Sequence, residues 1–279
     1  MLDGFFVENH MFRAFTWPHG LVLLLGFLSF ALLIKIARRS TPEQKVRYGA
    51  ILSYTILITY FLVFVAIDAA RFGFDPKKHF PFAMCNVCGA TLWLVLHKKN
   101  YLVYEILFFW VMSGTLAACL TPENKQMMPH YTFFAFWVIH LGLVGGAMYA
   151  TLVYGMRPRF KSLVKAFVAM NVYALFVGGI NWLLRDYDAN YFYVCHKPDV
   201  WTPLDWFGEW PWYIFYGQLF AASVFFVIYL PFLCTDLWRK VFLKRELDDQ
   251  DMASDVERAS KFSQSGEATS SAREELAEN

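Results

Sequence analysis

Charge is scarce in this chain: only 17% of its 279 residues are Asp, Glu, Lys or Arg, whereas 57% are hydrophobic and 19% aromatic. Soluble domains of this size carry roughly a quarter charged and about half apolar residues. A water-soluble globule is therefore excluded and a membrane protein indicated. Also missing is the alternation of polar and apolar residues in segments of about ten that marks a membrane β-barrel. The spanning elements must be helices. No small-residue cleavage site follows the first apolar block, which ends in Lys35, Arg38 and Arg39; that block is expected to stay as a span and not to be removed as a signal peptide. Basic residues are spread over several loops and form no stripe or groove, which argues against nucleic acid as a partner.

The apolar residues come in blocks of about 17 to 25, the length a helix needs to cross ~30 Å of hydrocarbon. Seven are read, at about 18–37, 48–70, 80–96, 101–121, 131–154, 161–184 and 211–235, the third being the shortest. The expected fold is all-α, a polytopic seven-transmembrane-helix bundle over 1–245 followed by an acidic, disordered cytosolic tail over 246–279. That tail holds ten acidic and three basic residues; without it the chain has 22 basic and 13 acidic residues, a body of +9 under a total of +2. Such a surplus suits anionic lipid headgroups. One set of helix ends carries 14 basic residues and the other 7. By the positive-inside rule the amino terminus is expected outside or lumenal and the carboxyl terminus cytosolic.

This orientation assigns each polar residue a depth. His19, Asp68, Arg71, Cys85, Cys88, His130, His140 and Asn181 all fall in the outer half, with Asp186, Asp188, Asn190, Tyr191, Cys195 and His196 in a long outer loop. The inner half reads as nearly bare. Ionisable groups within a bilayer usually face a bundle interior or wet cavity, so one polar cavity is expected to open toward the outer leaflet. Taken singly, each residue has a structural reading. A membrane histidine often bonds a carbonyl, a cysteine packs as a small hydrophobe, Asp68 and Arg71 pair, and the aromatic run from Trp201 to Tyr216 forms an interfacial belt.

Three chemistries compete for Cys85 and Cys88 in HFPFAMCNVCG. A redox or zinc role lacks a βαβ context and a second Cys/His pair. A disulfide can draw on Cys85, Cys88, Cys119 and Cys195 on the oxidising side, leaving only Cys234 inside. Nucleophilic catalysis needs a thiol activated by a base or a positive potential. Cys85 lies in the first turns of its helix, where the macrodipole favours an anion, and His140 on another helix supplies an imidazole. His19, His130 or Asn190 could orient that imidazole or donate to an oxyanion.

The order of motifs adds a further constraint. WPHG opens the first block, FPFAMC the third, TP follows the fourth, FFAFWVIHLGLV forms the fifth, and YGMRP, ANYFYVCHKP and PLDWFGEWPWY follow. Over nearly all of 12–235 this resembles the YwaF-like integral membrane proteins, the group that includes eukaryotic transmembrane protein 164. The resemblance implies acyl transfer onto lysophospholipids, particularly ether-linked phosphatidylethanolamine species, through an essential cysteine that corresponds to Cys85, with the helix-five histidine at His140. Some relatives carry a histidine or other polar residue beside the cysteine; here Ala83, Met84 and Asn86 stand there, so the implied base is His140.

The leading expectation is thus a lipid acyltransferase with catalytic Cys85 and His140. Its supporting or substrate-binding residues are His19, Asn86, Cys88, His130, Asn181, Asn190, Tyr191 and Trp210. No metal and no cofactor are expected; the partners are phospholipid, lysophospholipid and the bilayer. The expected location is the endoplasmic reticulum or another endomembrane, with the plasma membrane as the alternative. One rival is a seven-helix transporter or receptor using Asp68, Arg71 and His140. The other, a metallohydrolase using His19, His130, His140 and an aspartate, has little support from the histidine spacing.

Overall fold

The computed structural model describes residues 3–7, 9, 11–124, 126–198 and 202–242. The acidic tail, and with it the expectation of disorder there, lies outside the described residues. These form helices with no strand among them. Seven are long and apolar enough to span a membrane: α1 Trp17–Arg38, α2 Pro42–Phe72, α3 Pro76–Leu96, α4 Tyr101–Leu120, α5 Tyr131–Leu152, α6 Phe160–Leu183 and α7 Trp212–Phe242. This is an integral, multi-pass membrane protein. The chain divides into two compact units, Met1–Tyr229 and Leu230–Asn279. The second is helical over its described residues 230–242.

Local chemistry sets the helix ends. Thr41 caps α2 in a reciprocal box with Gln44, which starts that helix ahead of its apolar block. Asn100 caps α4 through Val103 N–H at 3.1 Å, and the His130 side chain caps α5. α3 is broken. It begins with one turn, Pro76–His79, capped by Asp75, and resumes as a regular helix only at Met84–Leu96. Phe80 before Pro81 is extended, at φ −71° and ψ 141°, as the steric demand of the proline ring requires.

α5 is the axis of the bundle, because it packs on α1, α2, α3 and α4. Of its most apolar window 72% is buried, against 6% for α1. The LGLVGGAM run permits this. Added Cβ atoms at Gly142, Gly145 and Gly146 would come within 2.8 Å of Ile56, 2.2 Å of Phe30 and 2.9 Å of Leu92. Small residues let backbones approach in a bilayer, and here the three glycines receive side chains from α2, α1 and α3 respectively.

The end of the bundle where α3 stops and α4 starts corrects the expectation of a nearly bare inner half. Glu105 is buried there, accepts from Ser162 Oγ at 2.7 Å and pairs with Lys165. Tyr149 and Tyr154 both donate to the Lys45 carbonyl, at 2.7 and 3.2 Å, and Tyr154 also reaches Leu96 O at 2.6 Å. A helix leaves its last carbonyls unpaired, and at the end of α3 the Tyr154 hydroxyl satisfies that of Leu96.

Candidate functional site

Cys85 is the second residue of the regular part of α3. That helix starts at Ala83 with no side-chain cap, so its first amides face the space before it and the positive end of its macrodipole lies beside the thiol. Thr115, buried on α4, places Oγ1 3.7 Å from Cys85 Sγ. It closes a π-helical stretch, Val111–Thr115, a distortion frequent at functional sites. All five cysteines are free thiols, so the disulfide alternative is not realised.

His140 comes from the central helix. Its Nδ1 lies 2.9 Å from the carbonyl of Phe136, one turn earlier, and its ring stacks on Phe136 with centroids 4.0 Å apart. A carbonyl only accepts, so Nδ1 carries the proton and Nε2 keeps its lone pair. The imidazole and the Cys85 thiol lie within electrostatic range of each other. Nε2 is the nitrogen left to meet the sulfur. Glu123, from the α4–α5 connection, lies within electrostatic range of both groups and accepts from Tyr193 at 2.8 Å.

Most other residues expected at the site do different work. His19 is buried with both nitrogens engaged, Nδ1 accepting from Phe15 N–H at 3.0 Å and Nε2 donating to Cys119 O at 2.8 Å. It ties the chain before α1 to the end of α4. His130 bonds Thr132 Oγ1 at 2.7 Å as part of its capping role. Asn181 holds the Tyr191 backbone in two directions, donating to its carbonyl at 3.0 Å and accepting from its N–H at 2.8 Å. Asn190 shapes the next turn through Cys195 N–H at 3.0 Å and His196 O at 2.7 Å. Tyr191 OH donates to Pro76 O at 2.6 Å. Burial, assisted by Asp75, pushes this phenol up to about 12, so it keeps its proton and that bond at any physiological pH. Cys88 is buried one turn below Cys85, Asn86 is half-buried between them, and Trp210 is exposed.

Sequence reading gave no role to His79, Thr115, Glu123 or Tyr173. His79 Nε2 meets Asp68 Oδ2 at 3.0 Å, its Nδ1 accepts from Asp75 N–H at 2.7 Å, and Tyr131 OH donates to the other Asp68 oxygen. This clasp joins α2, the first turn of α3 and α5 just ahead of the cysteine helix. Arg71 lies over the Phe6 ring at 4.1 Å; the expected Asp68–Arg71 pairing thus gives way to other partners for both side chains. Tyr173 on α6 donates to Phe82 O, in the extended stretch before Cys85, and lies within electrostatic range of Cys85 and Cys88. It also lines an apolar groove of about 710 Å³ between α4 and α6, with Ile106, Trp110, Val168 and Phe176 among others. Only the motif FPFAMC, with its proline before the helix, hinted that this stretch would be held from outside.

Among the described residues, no three His, Cys, Asp or Glu side chains are grouped to hold a metal ion. No curated protein and no solved structure matches the chain. The family model of the TMEM164 family matches residues 14–229, which include every helix from α1 to α6 and both members of the thiol–imidazole pair. With well over half its length matched, the chain belongs to the TMEM164 family.

Proposed function

We propose that the protein is a membrane-embedded acyltransferase that moves a fatty acyl chain onto a lysophospholipid through a thioester on Cys85. The observation that carries this reading is the His140 tautomer, with the proton on Nδ1 against Phe136 O and the lone pair left on Nε2, in an imidazole within electrostatic range of Cys85. Nε2 takes the thiol proton while sulfur attacks the ester carbonyl of a phospholipid donor. The tetrahedral oxyanion faces the uncapped start of the helix and its amides. The ester C–O bond then breaks, the leaving lysophospholipid oxygen collects the proton from Nε2, and the acyl group remains on sulfur. In the second half, Nε2 takes the hydroxyl proton of the acceptor lysophospholipid, whose oxygen attacks the thioester carbonyl. The C–S bond breaks and the proton returns to the thiol. Atoms and charge balance over the cycle, and no external oxidant or cofactor is needed.

The α4–α6 groove supports the lipid side of this reading. It is apolar, belongs to two membrane-spanning helices and includes in its wall Tyr173, which holds the stretch leading into Cys85. From Val164 to Phe176 it runs about 18 Å at 1.5 Å per residue, enough for a long acyl chain. We place the reacting pair in the outer or lumenal leaflet of an endomembrane, because basic residues favour the opposite helix ends by 14 to 7. A transporter or receptor built on Asp68, Arg71 and His140 has less to stand on, since Tyr131 and His79 occupy both Asp68 oxygens.

The test is direct. Purified protein is incubated with a phospholipid whose acyl chain is labelled, quenched in acid and treated with hydroxylamine. A hydroxylamine-labile acyl label on Cys85, absent in Cys85→Ala together with transfer to lysophospholipid, is expected. Full transfer by Cys85→Ala would remove the mechanism.

A further inference from the structure

A second groove lies between α1 and α5, at the bundle end opposite Cys85. It encloses about 550 Å³ over an apolar floor that includes Phe30, Met148 and Leu152, and Lys35, Arg38 and Arg39 stand on its rim. The floor exists because Gly145 lets the Phe30 ring settle against α5, where a Cβ would lie 2.2 Å away. α1 is the least buried of the seven spans, so the groove opens toward lipid.

Two plainer readings account for only part of this. Basic side chains near a helix C-terminus complement its macrodipole, and long cationic side chains reach past apolar surface to the membrane interface. Both explain cations at this height; neither explains a hollow beneath them. Lys35, Arg38 and Arg39 rise over only about 6 Å of helix, and no described carboxylate pairs with any of the three. Guanidinium and ammonium groups grouped in this way match a phosphate oxygen set, and basic pockets between spans take anionic lipid headgroups.

We infer that the α1–α5 groove is a binding site for an anionic phospholipid of the leaflet on that side, with one acyl chain along Phe30 and Met148 and the phosphate held by Lys35, Arg38 and Arg39. The phosphate end of the site stands apart from the reaction at Cys85: His140 and Leu152 are separated by about 18 Å along α5, and only the apolar end comes near, at Val144. Its failure would leave the acyltransferase reading intact.

Native mass spectrometry of the full chain in neutral detergent tests this with equimolar phosphatidylglycerol and phosphatidylcholine of identical chains. Wild-type protein is expected to retain the anionic lipid at least ~10-fold over the zwitterionic one, and millimolar inorganic phosphate should not displace it. The combined variant Lys35→Gln, Arg38→Gln, Arg39→Gln should fall close to parity. A control with Lys98→Gln, Lys161→Gln and Lys240→Gln, none of which lines the groove, should keep the preference. Ala31→Trp fills the hollow from its lipid side with the charges intact and should lose both lipids. Unchanged labelling of Cys85 by a thiol probe verifies the fold of each variant. The inference is overturned by parity in the wild type, by displacement with free phosphate, by an equal fall in the control, or by wild-type binding in Ala31→Trp.

Discussion

The Asp68–His79 and Cys85–His140 pairs stand near the same end of the bundle and use one type of side chain in opposite ways. At His79 the backbone partner is an N–H, from Asp75, so Nδ1 must accept and the ring proton sits on Nε2, facing Asp68. The pair is closed, because each atom has what it needs. At His140 the backbone partner is the Phe136 carbonyl, so Nδ1 must donate and Nε2 keeps its lone pair, in a ring within electrostatic range of Cys85. A single reversal, an amide in one place and a carbonyl in the other, separates a structural clasp from an imidazole with a free lone pair. Histidine count and depth in the membrane do not distinguish the two.

The comparison breaks most readily at His140. His140→Gln is expected to lower acyl transfer by ~10² to 10⁴-fold, the usual weight of a general base. It should also change the pH profile of Cys85 labelling by a lipid-like thiol probe to that of a thiol ionising without the imidazole. Labelling at the wild-type rate and with the wild-type pH profile would mean that the imidazole does not act on the sulfur.

His79→Ala attacks the other pair and should behave differently. Asp68 loses a charge-assisted hydrogen bond in a largely buried setting, a cost of about 1.5–3 kcal/mol, seen as a thermal midpoint several degrees lower. The rate of Cys85 labelling should stay within about twofold of wild type, since the clasp has no part in activating the thiol by the tautomer argument. A variant with normal thermal stability and a silent Cys85 would erase the distinction between the two pairs. The smallest effect is expected from Thr115→Val, which removes the 3.7 Å hydroxyl contact to sulfur. Labelling should change by only a few fold, in keeping with a single weak hydrogen bond, and stability should be nearly unaltered.

Much of the scaffold can be read without coordinates. Apolar blocks at 101–121 and 161–184 end within a residue of Tyr101–Leu120 and Phe160–Leu183, because a helix in lipid must continue while its side chains are apolar and stop where they are not. Where a cap overrides composition the reading slips: α2 starts at Pro42, six residues ahead of its block, on the strength of Thr41 and Gln44. Cys85 and His140 could be singled out together because both are unusual side chains at similar depth in separate spans. Their partners could not. Thr115 is an ordinary membrane hydroxyl, Glu123 sits in a polar loop, and the Glu105–Ser162–Lys165 cluster joins residues about 60 positions apart at an end that composition painted as bare.

The amino-acid sequence by itself determined the number of spans and, to within a few residues, the limits of most of them, since both depend on the transfer of contiguous side chains between water and hydrocarbon. Which histidine keeps a lone pair on Nε2 and which is a strut was decided only by the fold. That choice rests on whether a carbonyl or an N–H meets Nδ1, and backbone groups of that kind are the same in every residue until helices and turns aim them.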